Sequence, residues 1–317
     1  MRRLLSFLAK AGVSALLLYL SLGSVNLSVV GERINRLNAG WLFFIFIILI
    51  VQTALLALRW RQIVLVSGAN LSLSAALRYS LIAMFFNQTL PSTIGGDAAR
   101  VWLLGRSGAG WRLASYSVLI DRGVGLFALA ILVVACLPWS LKLVRDPVGS
   151  AALLVIGFGS IVGALIFTAI AFAPKHIMNR WWLTRHVAAT AGIAWRLCLS
   201  PRTAASVGVL SLAIQFLTVA AVWGAAKSIN APLEFALALF LVPPVMLIAA
   251  IPISIAGWGL REGTMIVAFA YAGLSPDNGL VVSVLFGVAS FIVGAFGGVV
   301  WIASGERLNT PPENAGL

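Results

Sequence analysis

The chain is expected to fold as an all-α polytopic membrane protein. About six full transmembrane helices are expected, with two re-entrant broken-helix hairpins related as an inverted repeat. Three observations carry this expectation. Of the 317 residues, 61% are hydrophobic and only 10% charged, whereas about a quarter of a soluble domain is charged; mean hydropathy is +1.03. Uncharged runs such as "GWLFFIFIILIVQTALLAL" (40–58) and "GLVVSVLFGVASFIVGAFGGVVWIAS" (279–304) reach the roughly 20 residues that cross a bilayer core as helix. Two other apolar regions are broken near their centres by Pro/Gly-rich segments, "LPSTIGGD" and "IPISIAGWG". A barrel is excluded, because its strands would alternate polar and apolar residues.

The elements follow in order. The N-terminus "MRRLLSFLAKAGVSALLLYLSLG" starts with bases like a signal peptide but has no small-x-small cleavage site ahead of polar sequence, so a retained first span at 4–23 is expected. Further spans are expected at 40–58, 114–138, 149–172, 203–226 and 279–303. The broken regions 72–105 and 233–273 read as hairpins of two half-helices. Irregular backbone at membrane depth is tolerated only where protein or a water-filled cavity satisfies it. The connections 29–40 and 173–200 mix bases and tryptophans with apolar residues, a pattern for interfacial helices. The second carries Trp181, Trp182 and Trp195 with Lys175, Arg180, Arg185 and Arg196, suited to an anionic leaflet.

Charge orients these elements. With the N-terminus cytoplasmic, the inner connections hold 15 of the 22 bases, Arg59, Arg61, Arg78 and Arg100 included; the outer ones hold 5, and Arg122 and Arg261 lie within membrane segments. The positive-inside rule then places both termini in the cytoplasm of a bacterial inner-membrane protein. The net charge of +13 reflects this topology rather than nucleic-acid binding, because the bases are scattered singly through short connections.

The two breaks also match in sequence. "PSTIGGDAAR" (91–100) and "PISIAGWGLR" (252–261) share Pro, Ile, Gly and Arg at relative positions 0, 3, 5 and 9, an offset of 161. The same shift brings spans two and three near spans five and six. One membrane domain, 1–317, is therefore divided into halves 1–140 and 149–305, followed by a cytoplasmic tail, 306–317. Inverted repeats with broken helices are an architecture of alternating-access transporters.

Ionisable residues inside a bilayer cost about 2.5–3.5 kcal/mol each on insertion scales, so they pair or face a polar cavity. Three such groups stand out: Asp97 with Arg100, Asp121 with Arg122, and Arg261 with Glu262. Gly95 and Gly96 permit close backbone approach before Asp97, as Gly257 and Gly259 do before Arg261. Free N–H groups at a half-helix start favour anions, and arginine matches phosphate in bidentate fashion. Asp97 has three open readings: it binds a cationic headgroup, holds an arginine, or caps its own helix. Asn87 borders the first break with Gln88, Thr89 and Ser92. Gln215, alone in its span, suits interhelical hydrogen bonding. Cys136 and Cys198 read as packing residues, and His176 and His186 as residues of an interfacial connection. No nucleophile-elbow, zinc-protease or nucleotide-loop motif occurs. No catalytic residue, metal or cofactor is expected.

At "NQTLPSTIGGDAARVWLL", followed by "DRGVGL" and "SIAGWGLREG", the chain resembles the lysylphosphatidylglycerol synthase/flippase membrane-domain family, in particular its small stand-alone bacterial members. The resemblance runs from roughly 5 to 305. It implies a protein that moves, or helps to present, lipids with charged headgroups. By motif position it also implies roles for Asn87, Pro91, Gly95, Gly96, Asp97, Arg100, Asp121, Arg122, Gly257, Gly259, Arg261 and Glu262. Asp121 stands where the family commonly has Glu, a departure that shortens the reach by one methylene. Two-part members add a soluble aminoacyl-transfer domain; with this chain ending at "ERLNTPPENAGL", lysyl transfer is not expected of it.

The functional expectation is a flippase-like protein that translocates a lipid with a charged, phosphate-bearing headgroup: a phospholipid, an aminoacyl-lipid or a polyprenyl-phosphate-linked saccharide. Anionic lipids of the cytoplasmic leaflet, a second copy of the chain and a lipid-modifying enzyme are the partners considered. The alternatives are a membrane-embedded glycosyltransferase or other lipid-modifying enzyme, or a non-transporting subunit of one.

Overall fold

Helix-forming apolar runs in this chain end where capping and glycine chemistry end them. In the computed structural model, which describes residues 37–90, 95–144, 147–172, 182–251, 254 and 257–304, ten α-helices make up most of the described backbone, and there is no strand among the described residues. The first, α1 (Ala39–Ser67), starts where Asn38 Oδ1 accepts the Gly40 N–H at 2.9 Å, and it stops at Gly68, whose φ of 97° closes it in the left-handed region. Ser72 caps α2 (Leu73–Thr89). α3 (Gly95–Leu104) runs into a π-helical turn at Gly105–Ala109. The remaining helices are α4 (Trp111–Leu143), α5 (Pro147–Phe172), α6 (Trp182–Cys198), α7 (Pro201–Ser228), α8 (Phe235–Ala249), α9 (Leu260–Tyr271) and α10 (Pro276–Ala303).

Four of these, α1, α4, α7 and α10, are long and apolar enough to cross a membrane. They correspond to four of the expected spans, and α5 occupies the region of a fifth. The expected span at 4–23, most of 29–40, the start of 173–200 and the tail 306–317 lie outside the described residues. At 1.5 Å per residue, α3 and α9 measure only about 15 and 18 Å, well short of the roughly 30 Å hydrocarbon core.

Helices α1–α4 and α7–α10 follow one pattern. Their starts, at 39 and 201, 73 and 235, 95 and 260, and 111 and 276, are offset by 162, 162, 165 and 165 residues. The packing follows the same exchange. α10 lies on α2 as α4 lies on α8, α9 on α10 as α3 on α4, and α1 on α4 as α7 on α10. The largest helix–helix contact joins α1 to α7. These two run antiparallel: the Asn38 N–H donates to Ser228 O, Gln52 Nε2 to Ile214 O and Thr218 Oγ1, and Gln62 Nε2 to Ser206 Oγ.

α10 packs on α9 of its own half and on α2 of the other. Its Gly279 packs on α9, where a Cβ would come within 2.8 Å of Met265 O. Its Gly294, Gly297 and Gly298 pack on α2, where a Cβ on Gly297 would overlap the Leu81 carbonyl oxygen. Small residues let membrane helices approach this closely. Gly297→Ala is therefore expected to lower the thermal midpoint in detergent by an amount equivalent to about 1–3 kcal/mol of overpacking. Gly159→Ala, on α5 with open space around it, is the control and should melt with wild type. Equal midpoints for the two variants would show that the α2–α10 contact yields freely.

α6 is tied to α4 by a 2.6 Å hydrogen bond between the Tyr116 hydroxyl and His186 Nδ1. Gln215, on α7, donates to Gly125 O of α4 at 3.2 Å.

Candidate functional site

The start of α3 is pressed against the end of α2. A Cβ on Gly95 would come within 2.6 Å of Phe86 O, and one on Gly96 would overlap Ala83 O. The two glycines therefore serve helix contact. The Gly96 N–H, expected to face a ligand, donates to Asn87 Oδ1 at 2.9 Å, so Asn87 fastens the two limbs together.

This close turn aims the third residue of α3, Asp97, and the sixth, Arg100, at α4. Arg100 Nη2 donates to Asp97 Oδ1 at 2.5 Å, and Arg100 Nη1 to Asp121 Oδ2 at 2.8 Å. Arg122 Nε donates to Asp97 Oδ2. Arg59, from α1, completes the set: its Nε donates to Asp121 Oδ1 at 2.8 Å, its Nη2 to Asp121 O at 3.3 Å and its Nη1 to Ser211 Oγ of α7 at 3.2 Å. Among the described residues the result is a ladder, Arg59–Asp121–Arg100–Asp97–Arg122, of three cations and two anions. Four members are buried; the Arg122 side chain is 37% exposed. Arg100 also lies over the Trp60 ring, 5.2 Å from its centroid. Gly125 leaves room for the Arg59 guanidinium, 3.3 Å from where a Cβ would stand.

Two of the pairs found in the sequence thus merge into one cluster. Of the three readings of Asp97, the contacts show it holding arginines, Arg100 and Arg122. Arg59 was placed in a cytoplasmic connection by the charge count, and the structure corrects this, because α1 continues to Ser67 and buries Arg59 among α4 and α7. The available signal was the stop rule: nothing in "ALRWRQIVLVSG" ends a helix before Gly68.

The second break is organised differently. Gly257 and Gly259 have φ values of 80° and 85°, conformations that glycine adopts without Cβ strain. Glu262, fully buried, receives the Gly259 N–H on Oε2 at 2.6 Å. On Oε1 it receives Arg261 Nη2 at 2.6 Å and Ser283 Oγ at 2.9 Å. The Arg261 guanidinium sits between Trp258 and Phe286, at 5.2 and 5.4 Å, and over Gly287, whose missing Cβ makes the space. This second cluster is neutral, and its two ions bond to each other rather than to the ladder.

Helix positions also revise how the two breaks correspond. The 161-residue offset pairs Arg100 with Arg261. The helices start at 95 and 260, so the equivalent residues are Asp97 and Glu262, each third in its helix. The reason is a longer connection before α9 than before α3, which displaces the sequence match by four positions. In both halves the acid at the head of the short second limb bonds across to the next long helix, to Arg122 on α4 or Ser283 on α10.

Long apolar helices, short paired helices between them and ion clusters buried beside the breaks define a polytopic α-helical membrane protein. The chain belongs to the lysylphosphatidylglycerol synthase TM region family, whose model matches residues 7–298, a span that contains both ion clusters. No curated protein matches the chain in sequence.

Proposed function

We propose that the protein is a lipid flippase-like carrier, and that the anionic, phosphate-bearing headgroup of its lipid docks at the Arg122 end of the ladder. The carrying observation is exposure: of the five ladder residues only Arg122 has a side chain more than a third exposed, so it is the guanidinium an anion can reach. Arginine there offers an anion a charge-assisted hydrogen bond. Arg261 and Glu262 serve the same reading from the second break by fixing its bend.

An inverted repeat, α1–α4 against α7–α10, supplies the alternating access. The regular helix offsets, the exchange of packing partners and the antiparallel run of α1 and α7 support it. In this reading the limbs α2/α3 and α8/α9 are re-entrant from opposite faces of a bacterial inner membrane, with both termini cytoplasmic.

A transport role is favoured over an enzymatic one because the acids are occupied. Both carboxylate oxygens of Asp97, of Asp121 and of Glu262 accept hydrogen bonds from guanidinium, hydroxyl or backbone groups.

The test is leaflet exchange of fluorescent phospholipids and polyprenyl-phosphate saccharides in liposomes. Arg122→Gln should stay folded, with Asp97 still held by Arg100, and slow exchange by about 10–100-fold, the equivalent of a charged hydrogen bond of about 1.5–3 kcal/mol. Exchange no faster than in empty liposomes for every lipid tried, or unchanged in Arg122→Gln, would sink the proposal. Product formed from a nucleotide sugar would select the enzyme.

A further inference from the structure

Between α4, α5, α8 and α9 the protein holds a cavity of about 530 Å³. Among the described residues no charged side chain lines it, and three hydroxyls do: Ser140, Thr264 and Tyr271. Ser140 donates to Cys136 O and Phe240 O, and Thr264 to Leu260 O and Arg261 O. Those two are committed to backbone and leave the cavity little to offer a polar guest. Its wall is built rather than loosely packed. Pro244 has no N–H for the carbonyl four residues back, that of Phe240, and Ser140 of α4 supplies the missing donor at 3.3 Å.

The corresponding place, between α2, α3 and α10, carries larger side chains. Matching residues by position in their helices, Phe86 of α2 corresponds to Ile248 of α8, Trp102 of α3 to Val267 of α9, and Trp301 of α10 to Cys136 of α4. There Trp301 packs on Phe86 with ring centroids 5.0 Å apart, and on Phe85 at 6.1 Å. Ile248, Val267 and Cys136 are smaller, and Ile248 and Val267 line the open cavity. Val267 lines it and is 50% exposed, so it opens on an outer surface where α5 also exposes Leu154 and Val155.

We propose that this cleft seats one hydrocarbon chain of a membrane lipid, acyl or prenyl. Its lining fits an apolar guest, it opens onto the apolar outer surface, and packed aromatic rings, Trp301 on Phe86, stand at the equivalent place. The proposal rests on the reading of the chain as lipid-handling, but it concerns the tail and not the headgroup. Ser140 and Arg122 lie 18 residues apart on α4, about 27 Å along the helix, so the chain site and the ladder are separate.

The experiment places the full chain in phosphatidylglycerol vesicles carrying one of two probes, phosphatidylglycerol with a diazirine on one acyl chain or a polyprenyl phosphate with a diazirine in its chain. After irradiation, labelled residues are mapped by mass spectrometry. Labelling at Leu153, Ile156 and Val267 should exceed that of the outward α10 residues Val288, Ile292 and Phe296 several-fold, and the more effective probe identifies the chain. Val267→Trp, which restores the bulk found at Trp102, should abolish the enrichment, and excess unlabelled lipid should compete it away. Labelling no greater than on α10, or enrichment that survives both Val267→Trp and competitor, would overturn the proposal. Arg122→Gln should leave the labelling intact, so a failed chain site and a failed exchange reading give different results.

Discussion

Asp121→Ala is expected to be among the most destabilising single changes in this protein. Asp121 is 1% exposed and receives Arg59 on one oxygen and Arg100 on the other. Its loss leaves two buried guanidiniums facing each other with no anion between them. Breaking a buried ion pair from one side costs about 3–5 kcal/mol, and here two pairs break at once. The protein should melt well below wild type in detergent, or fail to accumulate. Asp121→Glu should retain more stability, since it keeps the charge and differs by one methylene. Arg59→Leu combined with Asp121→Leu should lose less than the two single changes added together, the non-additivity expected of contacting residues. An Asp121→Ala protein that melts with wild type would show that the ladder contributes nothing to holding α1, α3 and α4 together.

Glu262→Ala is the second large effect. One side chain closes the α9 start through the Gly259 N–H, neutralises Arg261 and accepts from Ser283 on α10. Its removal strips the cap and leaves a buried guanidinium between Trp258 and Phe286, again about 3–5 kcal/mol. Glu262→Gln keeps the shape and an acceptor for the cap but not the charge, so its midpoint should fall between alanine and wild type. Thermal midpoints by size-exclusion chromatography after heating order the three. If Gln and Ala melt together, the cap contributes nothing beyond the charge; if Gln melts with wild type, the buried charge pair is dispensable.

Much of the architecture was legible in the sequence because the bilayer permits few solutions. Apolar runs at 40–58, 114–138, 203–226 and 279–303 correspond to α1, α4, α7 and α10, and the Pro/Gly segments mark where the short helices part. The acids and arginines of the breaks were legible for the same reason, since a charge in an apolar run has to be explained. The use of the glycines was not. Gly95 and Gly96 look like Gly257 and Gly259 in sequence, yet the first pair accommodates the α2 backbone and the second pair bends a loop at positive φ. Which neighbour approaches a glycine is a tertiary fact.

The sequence by itself determined that the chain is a helical membrane protein, where its helices break and which residues near the breaks carry charge, because hydropathy and chain stereochemistry act locally. Only the tertiary structure decided how those charges combine. It drew Arg59 from another helix into the ladder, paired Asp97 with Glu262 by position rather than Arg100 with Arg261, and left the Arg122 end of the ladder part-exposed at one break while burying the ion pair at the other. Ion pairing depends on distance through space, and residues as far apart in sequence as Arg59 and Asp121 come within that distance only when their helices pack.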